Sequence, residues 1–152
     1  MDQFDCLCIR LRRASRALTR IYDESLSETG LNIAQLGLLF SVWQAQPIAI
    51  KALAEKNQLD PSTLGRNLGV LERRALLTLS AGEDGRTRIV TLTQTGMELL
   101  IRAAPLWESA QNRARERLTA DGERTLRALL ALLEGDEPDP VAGSRESPKE
   151  GS

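Results

Sequence analysis

Ser62, Thr63, Arg66 and Asn67 fall close together in the chain, and Arg86 and Arg88 follow a short way on. Their chemistry is that of contact with nucleic acid. A guanidinium presents a planar fork of donors that matches guanine O6 and N7, and a side-chain amide pairs with adenine N6 and N7. The hydroxyls of Ser62 and Thr63 are short donors and acceptors suited to phosphates or base edges. The plainer reading is that Ser62 and Thr63 only support a helix N-terminus and that Arg66 is a solvated charge. Each residue alone leaves both readings open; the combination favours nucleic acid. Arg86 follows the turn formers Gly82-Glu83-Asp84-Gly85, and a guanidinium at a loop tip suits a narrow minor groove with its enhanced negative potential. Asp84 either orients Arg86 through a carboxylate–guanidinium pair or serves as a turn former beside Gly85. Lys51 and Lys56 are backbone contacts or solvated charges.

These side chains need two helices and a hairpin to position them. Ile50 to Asn57 has a helical pattern, Gln58-Leu59-Asp60 breaks it, and Pro61 to Arg74 resumes it. Asp60 followed by Pro61 is a strong helix start: an N-cap carboxylate, then proline at the first helical position. Leu64, Leu68 and Leu71 would hold this second helix to a core, leaving its first turn to face outward. Gly65 and Gly69 lower its intrinsic helicity by about 1 kcal/mol each relative to alanine. Leu77-Thr78-Leu79 and Arg88 to Leu92 read as strands on either side of the loop Ser80 to Arg86. Helix, tight turn, helix and an arginine-tipped hairpin read as a winged helix-turn-helix, which sets one helix in a DNA groove and the loop against the neighbouring backbone.

Helices are predicted on both sides of this block. Over residues 4–22, Phe4, Leu7, Leu11, Ala14, Leu18 and Ile21 form one apolar stripe flanked by arginines, a pattern that suits packing on another long helix, including one from a second subunit. Ser27-Glu28-Thr29-Gly30 breaks that helix. Asn32 is positioned to cap the next, from about Ile33 to Gln44, with Leu36, Leu39, Phe40 and Trp43 inward and Pro47 at its end. Ile48-Ala49-Ile50 suits a short strand beside the wing. Thr93 to Gly96 reads as a loop. A helix from Met97 to about Arg117 follows, in which Pro105 is expected to cause a kink or a split. Thr119 to Glu123 begins a last helix carrying Leu126, Leu129, Leu130, Leu132 and Leu133. Residues 135–152 are rich in Gly, Pro, Ser and acid and predict a disordered tail.

Composition narrows the classes. The chain has 152 residues and a net charge of −1, enough for one domain with a core. From Glu134 onward there are six acidic and two basic residues, a balance of −4, which leaves residues 1–133 at +3. Local basic surface matters more for phosphate contact than the whole-chain total. The chain contains no histidine, which excludes imidazole metal sites and histidine-based triads, and no metal or cofactor is called for. Two cysteines are too few for a secreted disulfide framework. Aromatic residues make up 3%, leaving base-stacking modes of RNA or single-strand binding without their platform. No apolar run approaches a bilayer span and no secretory signal is visible, so the expected location is cytoplasmic.

The block Leu53-Ala54, Ser62-Thr63-Leu64 and Leu71-Glu72-Arg73-Arg74-Ala75-Leu76-Leu77, then Asp84-Gly85-Arg86, Leu92-Thr93 and Gly96, resembles the MarR family. Its members are dimeric winged-helix transcriptional regulators, usually repressors. The resemblance covers about residues 4–134. It implies a mainly α (α+β) fold in which residues 1–134 form one winged-helix domain: a DNA-binding part at about 32–93, and dimerisation helices at about 4–23 and 97–134. It also implies DNA recognition by the helix starting near Pro61, with Arg86 in the wing and a palindromic double-stranded operator bound by a homodimer.

Many MarR-type proteins release DNA when a small aromatic acid or phenol binds between the dimer layer and the wing domain; Arg10, Arg13, Trp43 or nearby apolar side chains are candidates for such a pocket here. Cys8 and Tyr22 lie two heptads apart, on one helix face and about 21 Å apart along it. They resemble the cysteine and tyrosine of the family's organic-hydroperoxide sensors, where the tyrosine reaches the cysteine across the dimer. Ile33 stands where a second tyrosine of those sensors is expected. Cys6 and Cys8 fall about 200° apart around the helix, poorly placed to pair on one helix, which leaves bonding across subunits open. A small buried apolar role is the plainer expectation for the cysteines. The alternative function, from another class, is a helical protein-interaction module that keeps the fold without binding DNA. An enzyme is disfavoured, there being no phosphate-binding glycine loop and no acid pair in a patterned cleft.

Overall fold

A computed structural model describes residues 6–83 and 85–135. The chain divides into two compact units, Met1–Ala114 and Arg115–Ser152.

In the first unit, α1 (Leu7–Leu26) runs into a single 3₁₀ turn (Ser27–Thr29) and then α2 (Ile33–Ala45). Asn32 caps α2 as expected: its Oδ1 accepts from the Gln35 N–H at 2.8 Å, while Gln35 Oε1 accepts from the Asn32 N–H at 3.2 Å. β1 (Ile48–Ala49) leads directly into α3 (Ile50–Lys56), and α4 (Pro61–Arg73) follows. β2 (Leu77–Ala81) and β3 (Arg88–Leu92) form an antiparallel hairpin, and β1 pairs with the other edge of β3, giving the order β1-β3-β2. Leu79 and Ile48 both face Val90 across this sheet. The core gathers Leu26, Leu39, Leu53, Leu64, Leu71, Leu77 and Val90 from both helices and sheet, each at most 1% exposed, so the apolar effect fixes α3, α4 and the hairpin on one centre.

α5 (Gln94–Glu134) departs from expectation at both its start and its proline. Thr93 to Gly96 is not a loop. Thr93 Oγ1 accepts from the Gly96 N–H at 3.0 Å and donates to Ala75 O at 2.6 Å, so it caps the helix and ties it to the chain after α4. A Cβ on Gly96 would sit 2.0 Å from Leu76 O, and the first turn of α5 lies this close only because the residue is glycine. Pro105 stays within the helix. The carbonyl it deprives of a partner belongs to Ile101, which is 65% exposed. The break falls instead at Thr119 (φ 62°, ψ 164°), where the last helical segment was expected to start.

Two further expectations need correction. Phe40 and Trp43 do not point into the core; they are 46% and 44% exposed. On α1, Ile21 is buried, but Leu11 is 44% and Leu7 84% exposed, so the chain covers only the C-terminal part of the apolar stripe.

In the second unit, Glu123 accepts from Arg127 at 2.6 Å and pairs with Arg115 at 3.4 Å. Leu129, Leu132 and Leu133 remain exposed. The acidic tail and Phe4 lie outside the described residues.

Candidate nucleic-acid interface

The turn between α3 and α4 is tight and well satisfied. Gln58 takes a left-handed conformation (φ 49°), and the Leu59 N–H reaches back to Ala54 O at 3.0 Å. Asn57 donates to Leu53 O at 2.8 Å and accepts from the Ser41 hydroxyl at 2.9 Å, pinning the turn to α2. At the start of α4, Asp60 Oδ1 accepts from the N–H groups of Ser62 (3.0 Å) and Thr63 (2.9 Å) and from the Ser62 hydroxyl (2.5 Å). Hydrogen bonds from the Ser62 and Thr63 side chains, then the Thr63 backbone, hold this carboxyl well below the usual carboxylate range.

Leu64, Leu68 and Leu71 are fully buried, as their spacing predicts. The opposite face of α4 presents Ser62, Gly65, Arg66 and Arg73 to solvent, with Thr63 and Asn67 half-buried beside them. The sequence-predicted residues of this helix are thus brought together on its first two turns, though not all are idle. The Ser62 hydroxyl proton is directed at Asp60. Arg66 Nη2 makes a long 3.5 Å contact to Thr63 Oγ1, and Asn67 Nδ2 donates to Thr63 O at 3.1 Å. Asn67 would have to turn its amide outward to grip a base edge with both groups.

The hairpin loop closes through Gly82 N–H to Thr87 O at 2.7 Å and Gly85 N–H to Gly82 O at 2.9 Å, with Gly85 at φ 66°. Arg86 and Arg88 are both exposed, Arg88 as the first residue of β3, opposite Ala81. The expected pairing of Asp84 with Arg86 lies outside the described residues. Lys51 and Lys56 are exposed on α3.

Cys8 and Tyr22 sit at opposite ends of α1. Both Cys6 and Cys8 are exposed in the single chain, so neither fills a core position of its own subunit. The Tyr22 hydroxyl donates to Gln111 Oε1 on α5.

A hollow of about 480 Å³ lies between α2 and α5, and its lining includes Phe40, Trp43, Leu100 and Trp107. The Phe40 and Trp43 rings lie 5.4 Å apart at 40°. Trp43 was expected near a pocket; Arg10 and Arg13 do not line this one. Among the described residues no helix is long and apolar enough to cross a membrane.

Two helices joined by a tight turn, the second capped and presenting a polar face, with a three-stranded wing, define a winged helix-turn-helix protein. No known family model matches the chain. The transcriptional regulator MosR of Mycobacterium tuberculosis, solved in complex with DNA, is 31% identical, with 86% of this chain and 96% of that one covered at a TM-score of 0.77. The organic hydroperoxide resistance transcriptional regulator of Bacillus subtilis is 29% identical over 101 residues, 66% of this chain and 69% of that protein. A MarR variant from Escherichia coli, complexed with operator DNA, shares the fold at a TM-score of 0.77 and 24% identity, with 84% of this chain and 92% of that one covered. The chain belongs to the MarR family of winged helix-turn-helix transcriptional regulators.

Proposed function

We propose that this protein is a cytoplasmic, homodimeric repressor that binds a palindromic operator in double-stranded DNA. The observation that carries the reading is the outward face of α4: a helix fixed to the core by Leu64, Leu68 and Leu71 that leaves Ser62 and Arg66 exposed on its first two turns. In this reading Ser62, Thr63, Arg66 and Asn67 enter the major groove while Arg86 and Arg88 approach the adjacent backbone and minor groove. Residues 32–93 form the DNA-binding part, and helices over about 4–23 and 97–134 pair two subunits. The likeness to DNA-bound MosR across 96% of that chain supports it.

The signal is proposed at two places. The apolar hollow between α2 and α5 suits a small aromatic or phenolic effector, and its lining favours a neutral molecule over a carboxylate, whose charge is costly to bury unpaired. Cys8, exposed on α1, is a candidate peroxide sensor with Tyr22. A hydroperoxide would transfer one oxygen to the sulfur, giving a sulfenic acid and leaving the alcohol. The name of the Bacillus subtilis relative is consistent with that chemistry. A variant with Cys6 and Cys8 both replaced by serine should keep its DNA site when peroxide is added; release indistinguishable from the parent's would end the redox reading.

The function itself is tested by binding fragmented genomic DNA to the purified protein at two salt concentrations and sequencing what is retained. Enrichment of a palindrome, with affinity falling steeply as salt rises, is expected because phosphate contact releases counterions. Retention of nothing at low salt by a verified dimer would instead favour a protein-interaction module.

A further inference from the structure

α4 is held in two different ways along its length. Its apolar face is buried, but apolar contact is non-directional and does not by itself fix the helix's rotation or slide. Its N-terminal cap, Asp60, bonds only to the adjacent Ser62 and Thr63 in the contacts described above. At the other end, the C-cap residue Arg74 sends its side chain to a distant part of the chain. Nη1 donates to Gly30 O at 2.8 Å and Nη2 to Thr29 O at 2.9 Å. These carbonyls end the 3₁₀ turn that follows α1, where unpaired C=O groups carry partial negative charge. The planar fork meets both at once, a geometry lysine does not reproduce.

The turn it grips is built to be gripped. Thr29 is buried, its hydroxyl donating to Leu26 O at 2.6 Å and accepting from the Leu31 N–H at 3.1 Å. Gly30 has φ +65°, and a Cβ there would stand 3.3 Å from Arg74 Nη2. Just before the turn, Asp23 Oδ1 accepts from the Ile33 N–H of α2 at 2.7 Å, and Arg113 of α5 reaches Ser25 Oγ at 3.1 Å and Glu24 at 3.2 Å. The end of α1 is therefore bonded to α2 and α5, and through Arg74 to α4.

We propose that Arg74 is a positioning residue: its two bonds to Thr29 O and Gly30 O set the orientation of α4 relative to α1, and so the aim of the residues on its outward face. This rests on the DNA-binding reading. In this proposal Arg74 acts through α4 rather than through a phosphate contact of its own, since Nη1 and Nη2 each hold a carbonyl of the turn. Any signal that displaces α1 then reaches α4 through this clasp.

The test uses the full-length parent, Arg74→Gln and Arg74→Lys, with the DNA site the parent selects. Affinity is measured across a salt series, and thermal unfolding is followed for each protein. Loss of two charge-assisted bonds on an exposed side chain should weaken binding by roughly 5- to 10-fold in Arg74→Gln, while the slope of log affinity against log salt stays that of the parent. Arg74→Lys, which keeps the charge and loses the fork, should also bind more weakly than the parent at the same slope. Parental affinity in Arg74→Gln would overturn the proposal. So would a slope shallower by about one contact, the mark of a lost phosphate bond, or full binding by Arg74→Lys. If Arg74→Gln lost its cooperative unfolding transition, Arg74→Lys would carry the test by the same criteria. A parent that selects no DNA would overturn the DNA-binding reading and this inference with it, whereas a binding parent with indifferent variants overturns the inference alone.

Discussion

Arg66 and Arg86 are both exposed guanidinium groups, yet they differ in the information they can carry. Arg66 lies on the outward face of α4 beside Thr63 and Asn67, and in the proposed complex its planar fork would distinguish guanine from the other bases. Arg86 lies in the hairpin loop, where a positive charge responds mainly to backbone and groove potential. Replacing Arg66 with alanine should therefore relax preference at one base pair of each half-site, by roughly tenfold against the wrong base. Replacing Arg86 should weaken binding to all sequences and reduce the salt slope by about one unit. Affinities for a panel of single-base operator variants would separate the two. Uniform weakening by Arg66→Ala would place that side chain on a phosphate instead.

The α4 cap makes a prediction about pH. Asp60 is held below the ordinary carboxylate range because the Ser62 and Thr63 donors stabilise its charged form. The native value lies below the unfolded one, about 3.9, so the cap's stabilisation is complete above that range and is lost as pH falls through and below it. Asp60→Asn retains an accepting oxygen but does not titrate; its stability should decline less than the parent's between about pH 5 and 3. Urea unfolding at several pH values measures this, and parallel declines would refute the cap's contribution. Such an element was legible in the sequence because its signals are local: Asp60-Pro61 starts it, and Leu64, Leu68 and Leu71 show which face is buried. Asn32 announced α2 in the same way. The start of α5 was not legible, since the groups that make Thr93 a cap and require glycine at position 96 are Ala75 O and Leu76 O, on another segment. For the same reason the sequence marked Arg74 as a charge but not as a clasp. Periodicity placed Phe40 and Trp43 on an apolar face without revealing that the chain leaves that face open.

Taken as one molecule, the chain exposes more apolar surface than its own core requires, and the exposure is concentrated on helices outside the wing. Leu7, Ile9 and Leu11 on α1 are 84%, 48% and 44% exposed, and within the second unit Leu132 and Leu133 are 69% and 70% exposed. Such side chains separate a monomer from a dimer. Replacing Leu7 and Leu11 together with glutamine removes little packing from a single chain, and a monomer should lose no more than about 0.5 kcal/mol per site. If a second subunit buries them, each loses up to about 1.5–3 kcal/mol. Parent unfolding should then shift to higher temperature with protein concentration, because association stabilises the folded state by mass action. The paired variant should melt earlier, lose much of that concentration dependence and sediment with a larger monomer fraction. DNA binding provides the second readout: two half-sites read by linked subunits are held far more tightly than one, so a variant that no longer pairs should lose most of its affinity for a full palindrome while its contacts to a half-site remain intact. Variant melting and sedimentation matching the parent's at every concentration would remove α1 from the interface.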